Sequence, residues 1–120
     1  RWGSALLEQR PQIQLQVCGQ TLNLVLKDMI IAGRYNAATD ERPDLDLEPF
    51  DALNKGVSRQ HAAFVYEDHI IKIMDMDSPN GTYLNGFRLT PYQSRVLRDG
   101  DEVRLGRLVM NVKFMTPLEI

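Results

Sequence analysis

Cysteine is nearly absent: Cys18 is the only one in 120 residues. A lone thiol excludes an internal disulfide framework and is the usage of a reducing, cytoplasmic setting. Long apolar runs are also missing. None approaches the ~20 residues that cross a bilayer. The opening Arg1-Trp2-Gly3-Ser4-Ala5-Leu6-Leu7 has neither the apolar core nor the cleavage pattern of an export signal. Nor is there a basic excess, since 14 Lys and Arg face 16 Asp and Glu for a formal net charge of -2. Nonspecific nucleic-acid binding draws its affinity from neutralised phosphates, so no nucleic-acid partner is expected, and no membrane partner either. No stretch sustains an amphipathic helix, and there is no internal repeat or low-complexity segment. The chain starts without Met, and the expectation is a monomeric domain of a larger protein.

What is present is ordinary globular material, 43% hydrophobic and 25% charged, enough for one domain and one core. The division expected is a tail over 1–11, a domain over 12–116 and a C-terminal end over 117–120. Gln12-Ile13-Gln14-Leu15-Gln16-Val17 alternates polar and apolar, the period of a half-buried strand. A turn at Gly19-Gln20 and renewed alternation from Thr21 to Leu26 predict a hairpin, with Cys18 half-packed at a strand end. Further strands are predicted at 29–32, 62–66, 70–74, 102–105 and 108–112. The stretch from Tyr35 to Val57 is loop-like, with at most a short strand at Leu45-Asp46-Leu47; six acids between Asp40 and Asp51 face one base, Arg42. Asn80-Gly81, Asn85-Gly86, Asp99-Gly100 and Gly106-Arg107 are turn signals. Many short strands between frequent turns imply an all-β, antiparallel sandwich or barrel.

Catalytic and metal chemistry find little support. His61 and His69 have no cysteine near them and lack zinc-ligand spacing. Asp75-Met76-Asp77 opens like a calcium loop, but Pro79 and Gly86 occupy ligand positions; the loop begun by Asp44 ends on Lys55. Ser58 and His61 are three residues apart, an offset that on a strand sends them to opposite faces. Nothing basic adjoins Cys18 to make it a thiolate. No enzyme activity, metal or cofactor is expected.

Four pieces remain: Gly33-Arg34; Ser58-Arg59-Gln60-His61; Ser78-Pro79-Asn80-Gly81-Thr82-Tyr83-Leu84-Asn85-Gly86; and Asp99-Gly100-Asp101 leading to Gly106. Arginine forks, a small hydroxyl and an amide beside glycine turns are the inventory for gripping an oxyanion and a peptide backbone. Their order and spacing resemble the forkhead-associated (FHA) domain, a phosphothreonine-peptide reader, over about Ile13 to Phe114. The resemblance implies a β-sandwich of about eleven strands with the recognition loops at one end. It implies phosphate contacts from Arg34, Ser58 and Arg59, and a ligand-backbone contact from Asn80. It gives loop-structuring roles to Gly33, His61, Gly81, Thr82, Asn85 and Gly86, with Asp75 and Ser78 serving the loop as well.

One position departs from the family pattern. Pro79 stands where the family places a Thr or Ser whose hydroxyl helps hold the phosphate. The expected function is noncatalytic recognition of phosphothreonine-containing protein segments in kinase signalling. The alternatives are an FHA scaffold docking a protein without phosphate, and, from another class, a β-sandwich hydrolase or sugar binder. If the acids between Asp40 and Asp51 border the site, like-charge repulsion should disfavour acidic ligands.

Overall fold

Alternation becomes two facing sheets in the computed structural model, which describes residues 10–115. The strands are β1 (Gln12–Val17), β2 (Gln20–Val25), β3 (Met29–Gly33), β4 (Leu45–Asp46), β5 (Ala62–Glu67), β6 (Ile70–Asp75), β7 (Thr82–Leu84), β8 (Phe87–Arg88), β9 (Arg95–Val96), β10 (Glu102–Leu105) and β11 (Leu108–Phe114). One sheet runs β2-β1-β11-β10-β7-β8, the other β4-β3-β5-β6-β9. Most of the expected tail and all of the expected end at 117–120 lie outside the described residues. Among the described residues the one helical element is a 3-10 turn at Glu48–Phe50.

Period-two burial builds the core. Ile13, Leu15 and Val17 of β1, and Leu108, Met110 and Val112 of β11, face Ile30, Ala32, Phe64 and Ile73 of the other sheet, all at most 2% exposed. Each large side chain so buried contributes roughly 1.5–3 kcal/mol of transfer free energy. The same alternation puts Gln14, Gln16 and Asn111 outside, which fixes the register Gln14↔Lys113 and Gln16↔Asn111 between β1 and β11.

Three details correct the sequence expectations. The first hairpin turns at Cys18-Gly19, not Gly19-Gln20, because Val17 pairs with Gln20. Both turn residues have positive φ, 50° and 74°, and Cys18 is exposed rather than half-packed. β4 lies parallel to β3, the one parallel pair among the described strands. Asn80-Gly81 is no hairpin turn: β6 and β7 belong to different sheets, and Gly81 has positive φ while Asn80 does not. Asn85-Gly86 is the two-residue hairpin, joining Leu84 to its partner Phe87.

The long segment after β3 is not free of the core. Leu47, Phe50, Ala52 and Val57 are buried in it, like pegs along one side. This holds the segment against the end of the sandwich where β3 and β6 finish and β5 and β7 begin. His61 N–H donates to Ala32 O, Met76 N–H to His61 O and Gly106 N–H to Gly81 O, all at 2.9 Å. The first two motifs, the Ser78–Thr82 part of the third and Gly106 of the fourth therefore meet at one end, while Asn85-Gly86 and Asp99–Asp101 lie at the other end of β7 and β10.

Candidate functional site

Gly33 ends β3, and its lack of a side chain decides the local packing. A Cβ there would lie 2.0 Å from the Arg59 carbonyl oxygen and 2.8 Å from that of Ser58. No ordinary contact is so short, so only glycine lets the 58–60 loop close over the strand end. Arg34 N–H then donates to Arg59 O at 3.3 Å, and Arg34 Nε donates to Val57 O at 2.8 Å. The guanidinium is thereby aimed, and its two terminal nitrogens keep their donor capacity. Among the described residues neither the Ser58 hydroxyl nor the Arg59 guanidinium has an intramolecular partner.

These three residues share a cleft of about 370 Å³ with Asn36, Glu41, Arg42, Pro43 and Gln60. The sequence reading gave none of those five a role in the site. Arg42 carried the one available signal, as the lone base in an acidic stretch. Its guanidinium lies 4.1 Å over the Tyr35 ring and donates to Asp46 at 3.0 Å. The Tyr35 hydroxyl donates to Asp40 at 2.6 Å, and that bond, followed by desolvation, raises the phenol above its usual pKa.

The acids of this segment are mostly structural. Asp44 accepts from Ile31 N–H, Asp46 from the N–H groups of Tyr35 and Glu48, and Asp51 from the Asn54 amide. Glu41 is the one acid among the residues lining the cleft. The expected acidic border is therefore narrow, and Arg34, Arg42 and Arg59 outnumber it.

His61 is fully buried behind the cleft. Its Nδ1 accepts from Ser58 N–H at 3.0 Å and its Nε2 faces Gly81 O at 2.8 Å. This pair of partners requires the neutral tautomer with hydrogen on Nε2. Burial lowers its pKa, more than the Gly81 carbonyl and Asp75 raise it. Ser58 and His61 are indeed in contact, but through the Ser58 backbone in a loop, not across a strand. The imidazole buttresses the Ser58 turn.

The loop from β6 to β7 hangs on a buried carboxylate. Asp75 accepts from the hydroxyls of Ser78 at 2.6 Å and Thr82 at 2.7 Å, and from Ser78 N–H at 3.2 Å. These bonds present Pro79 and Asn80 outward. Asn80 Nδ2 donates to Gly56 O at 3.0 Å, next to the carbonyl that holds Arg34. Asn85 sits one turn further, accepting from Glu102 N–H and donating to Asp101. It braces the β7–β8 hairpin against β10 rather than facing the cleft. So Arg34, Ser58 and Arg59 come together, Asn80 stands beside them across Gly56–Val57, Gly33, His61, Gly81 and Thr82 support these loops, and Asn85 and Gly86 lie away from the cleft.

Among the described residues there is no group of three or more His, Cys, Asp and Glu placed to hold a metal ion, and no helix long and apolar enough to cross a membrane. Comparison with known proteins agrees with the layout. The oxoglutarate dehydrogenase inhibitor of Corynebacterium diphtheriae is 45% identical over 74 residues, 62% of this chain and 48% of that protein. The glycogen accumulation regulator GarA of Mycobacterium tuberculosis is 42% identical over 65 residues, 54% of this chain and 36% of that protein. The matches thus span about a third to a half of the length of these relatives. An FHA domain from a structural and functional study of phosphothreonine-dependent FHA interactions superposes with a TM-score of 0.66 at 28% identity, covering 88% of this chain and 98% of that one. The FHA domain family profile matches residues 30–106, taking in the strand-end arginine, the Ser58–His61 loop, the Asn80 loop and the Gly106 turn. The two sheets, the converging loops and this match establish that the chain belongs to the FHA domain family.

Proposed function

We propose that this domain is a noncatalytic module that binds phosphothreonine-containing segments of partner proteins in kinase signalling. The observation that carries the reading is the cleft in which Arg34, Ser58 and Arg59 converge with unspent donors beside Asn80. A phosphothreonine brings about -1.5 to -2 charge and three acceptor oxygens at neutral pH. Arg34, fixed through Nε, offers its terminal nitrogens as a fork; Ser58 adds a hydroxyl and Arg59 a second cation. Asn80 can give and take a hydrogen bond along the ligand backbone, since its amide carries both functions. Gly33, His61, Gly81 and Thr82 hold these groups in place, and Asn85 and Gly86 shape the β7–β8 hairpin. The exposed free thiol of Cys18 suits a cytoplasmic setting.

Pro79 favours a second reading, a scaffold that docks its partner without phosphate, because that residue has neither a hydroxyl nor an N–H to give. Calorimetric titration with a phosphothreonine peptide and its unphosphorylated twin separates the two. Binding of the phosphorylated peptide alone is the expected outcome. Equal binding of both would overturn the phosphate reading in favour of the scaffold.

A further inference from the structure

The outer face of the six-stranded sheet carries a row of three residues on neighbouring strands. Tyr83 of β7 pairs with Arg104 of β10 on one side and Arg88 of β8 on the other. The Arg104 guanidinium lies 3.8 Å from the Tyr83 ring centroid and that of Arg88 lies 5.9 Å from it. Arg104 also donates to Gly106 O at 2.7 Å. Among the described residues no carboxylate forms an ion pair with either arginine. The nearest acid along β10 is Glu102, on the same face but two residues away. Two like charges held on one aromatic ring, without a counter-ion, are a device suited to an external anion.

The row is continuous with the candidate site. Arg88 reaches back to Pro79 O at 3.4 Å, and a Cβ on Gly81 would lie 2.8 Å from Arg88 Nε. Arg88 therefore lies across the loop that presents Asn80. Beyond Arg104, the Gly106 turn leads to Arg107, whose N–H donates to Lys55 O at 2.8 Å beside Gly56. Arg34, Arg42, Arg59, Lys55, Arg88, Arg104 and Arg107 thus gather at this end, half of the 14 Lys and Arg in a chain whose net charge is -2. The row places Arg88 and Arg104 two strand spacings apart, roughly 10 Å.

We infer that the Arg88–Tyr83–Arg104 row is a second recognition subsite that takes anionic side chains of the same partner polypeptide, outside its phosphothreonine. This rests on the phosphothreonine reading of the main site. The spacing suits two anionic side chains two positions apart, on one face of an extended segment that rises about 3.3 Å per residue. Carboxylates and a second phosphate share the required chemistry. The subsite predicts that acidic flanks strengthen binding, the opposite of what the charge count of residues 40–51 alone suggests.

Fluorescence anisotropy titrations with four peptides test it. They share one core: a phosphothreonine peptide with neutral flanks, the same with Asp and Glu flanks, the same with a second phosphoserine in a neutral flank, and the acidic peptide without phosphate. Each is titrated against the wild type, Arg88→Gln/Arg104→Gln and, as a charge control at the opposite end, Lys27→Gln. Acidic flanks should tighten wild-type binding about three- to tenfold at low salt, the size expected for two exposed charge pairs. The gain should fall below twofold in the double variant, persist in Lys27→Gln and shrink with added salt. The gain from acidic flanks is read as a ratio within each protein, so that any change in neutral-phosphopeptide affinity that Arg88→Gln causes through the Pro79 carbonyl divides out. An equal gain from the phosphoserine peptide assigns the subsite to anions in general; a gain from carboxylates alone restricts it to them. Equal affinity of the wild type for all flanks, or a gain that survives in the double variant, would overturn the subsite. If the neutral phosphopeptide fails to bind the wild type, the phosphothreonine reading falls. The unphosphorylated acidic peptide then decides the row: weaker binding by the double variant sustains an anion site, and unchanged binding removes it.

Discussion

Arg34 is held by one nitrogen and offers the others, and that division of labour sets its expected effect on binding. Arg34→Ala removes the fork but only one internal hydrogen bond, to Val57 O. Truncating a charged, hydrogen-bonded partner of a partly desolvated anion costs about 2–5 kcal/mol. The expected outcome is loss of measurable phosphopeptide binding in calorimetry, with circular dichroism and melting temperature close to the wild type. Undiminished binding by a folded variant would remove Arg34 from the site. Pro79 is the converse case, a residue whose chemistry is missing. A hydrogen bond to a charged acceptor is worth about 1.5–3 kcal/mol, less where water competes. Replacing Pro surrenders about 0.4–1 kcal/mol of chain stiffness. Pro79→Thr should therefore bind phosphothreonine peptides about two- to fivefold more tightly. It should leave unphosphorylated peptides unaffected. Parallel titrations decide, and no gain at unchanged thermal stability would mean that this loop does not meet the phosphate.

At the scale of elements, the recognition end is made of loops anchored by the strand ends. β3 delivers Gly33 under the Arg59 carbonyl, and β6 delivers Asp75 under Ser78 and Thr82. Gly33→Ala must push the 58–60 loop away by more than 1 Å, because the obstacle is backbone rather than a flexible side-chain tip. Overpacking of this kind costs about 1–3 kcal/mol. The variant should melt earlier and also lose phosphopeptide affinity, since Ser58 and Arg59 ride on the displaced loop. Affinity kept at wild-type level in the destabilised variant would show that the loop can shift without harm to the site. Asp75→Ala acts on the other loop: it leaves two buried hydroxyls without their acceptor, at about 1–3 kcal/mol each before they find other partners. Urea unfolding should show a lowered midpoint at an unchanged slope.

For the molecule as a whole, His61 couples the loops to pH. Its folded pKa is lowered, so the unfolded chain, near 6.5, binds the proton first as pH falls. The stability tied to neutral His61 is fully present above about pH 6.5 and is lost as pH drops from there through the folded value, with a slope of at most about 1.4 kcal/mol per pH unit. Thermal melts between pH 5 and 8 should show this decline, and His61→Gln should flatten it. The residues legible from sequence were those tied to local rules. Strand alternation in β1, β2, β6 and β11 follows from the two-residue period of the backbone, and the Asn85-Gly86 turn from the tolerance of both residues for positive φ. The four motifs declared the family because their spacing is linear information. Other features were legible only in three dimensions. That Asn80-Gly81 crosses between sheets depends on where β7 finds its partner, which no dipeptide encodes. Arg42 joins the cleft because Leu47 and Phe50 pin its segment to the core and Asp46 and Tyr35 fix its head. The acids around it looked like a charged rim in the sequence, yet most became hydrogen-bond acceptors for backbone and side-chain donors once the segment folded back on β3. The Arg88–Tyr83–Arg104 row arises from strand register alone, joining residues up to 21 positions apart in the sequence. The sequence determined which segments are strands and which residues can carry charge or turn. Tertiary pairing decided which of them are neighbours, because contact between distant residues is set by how the whole core closes.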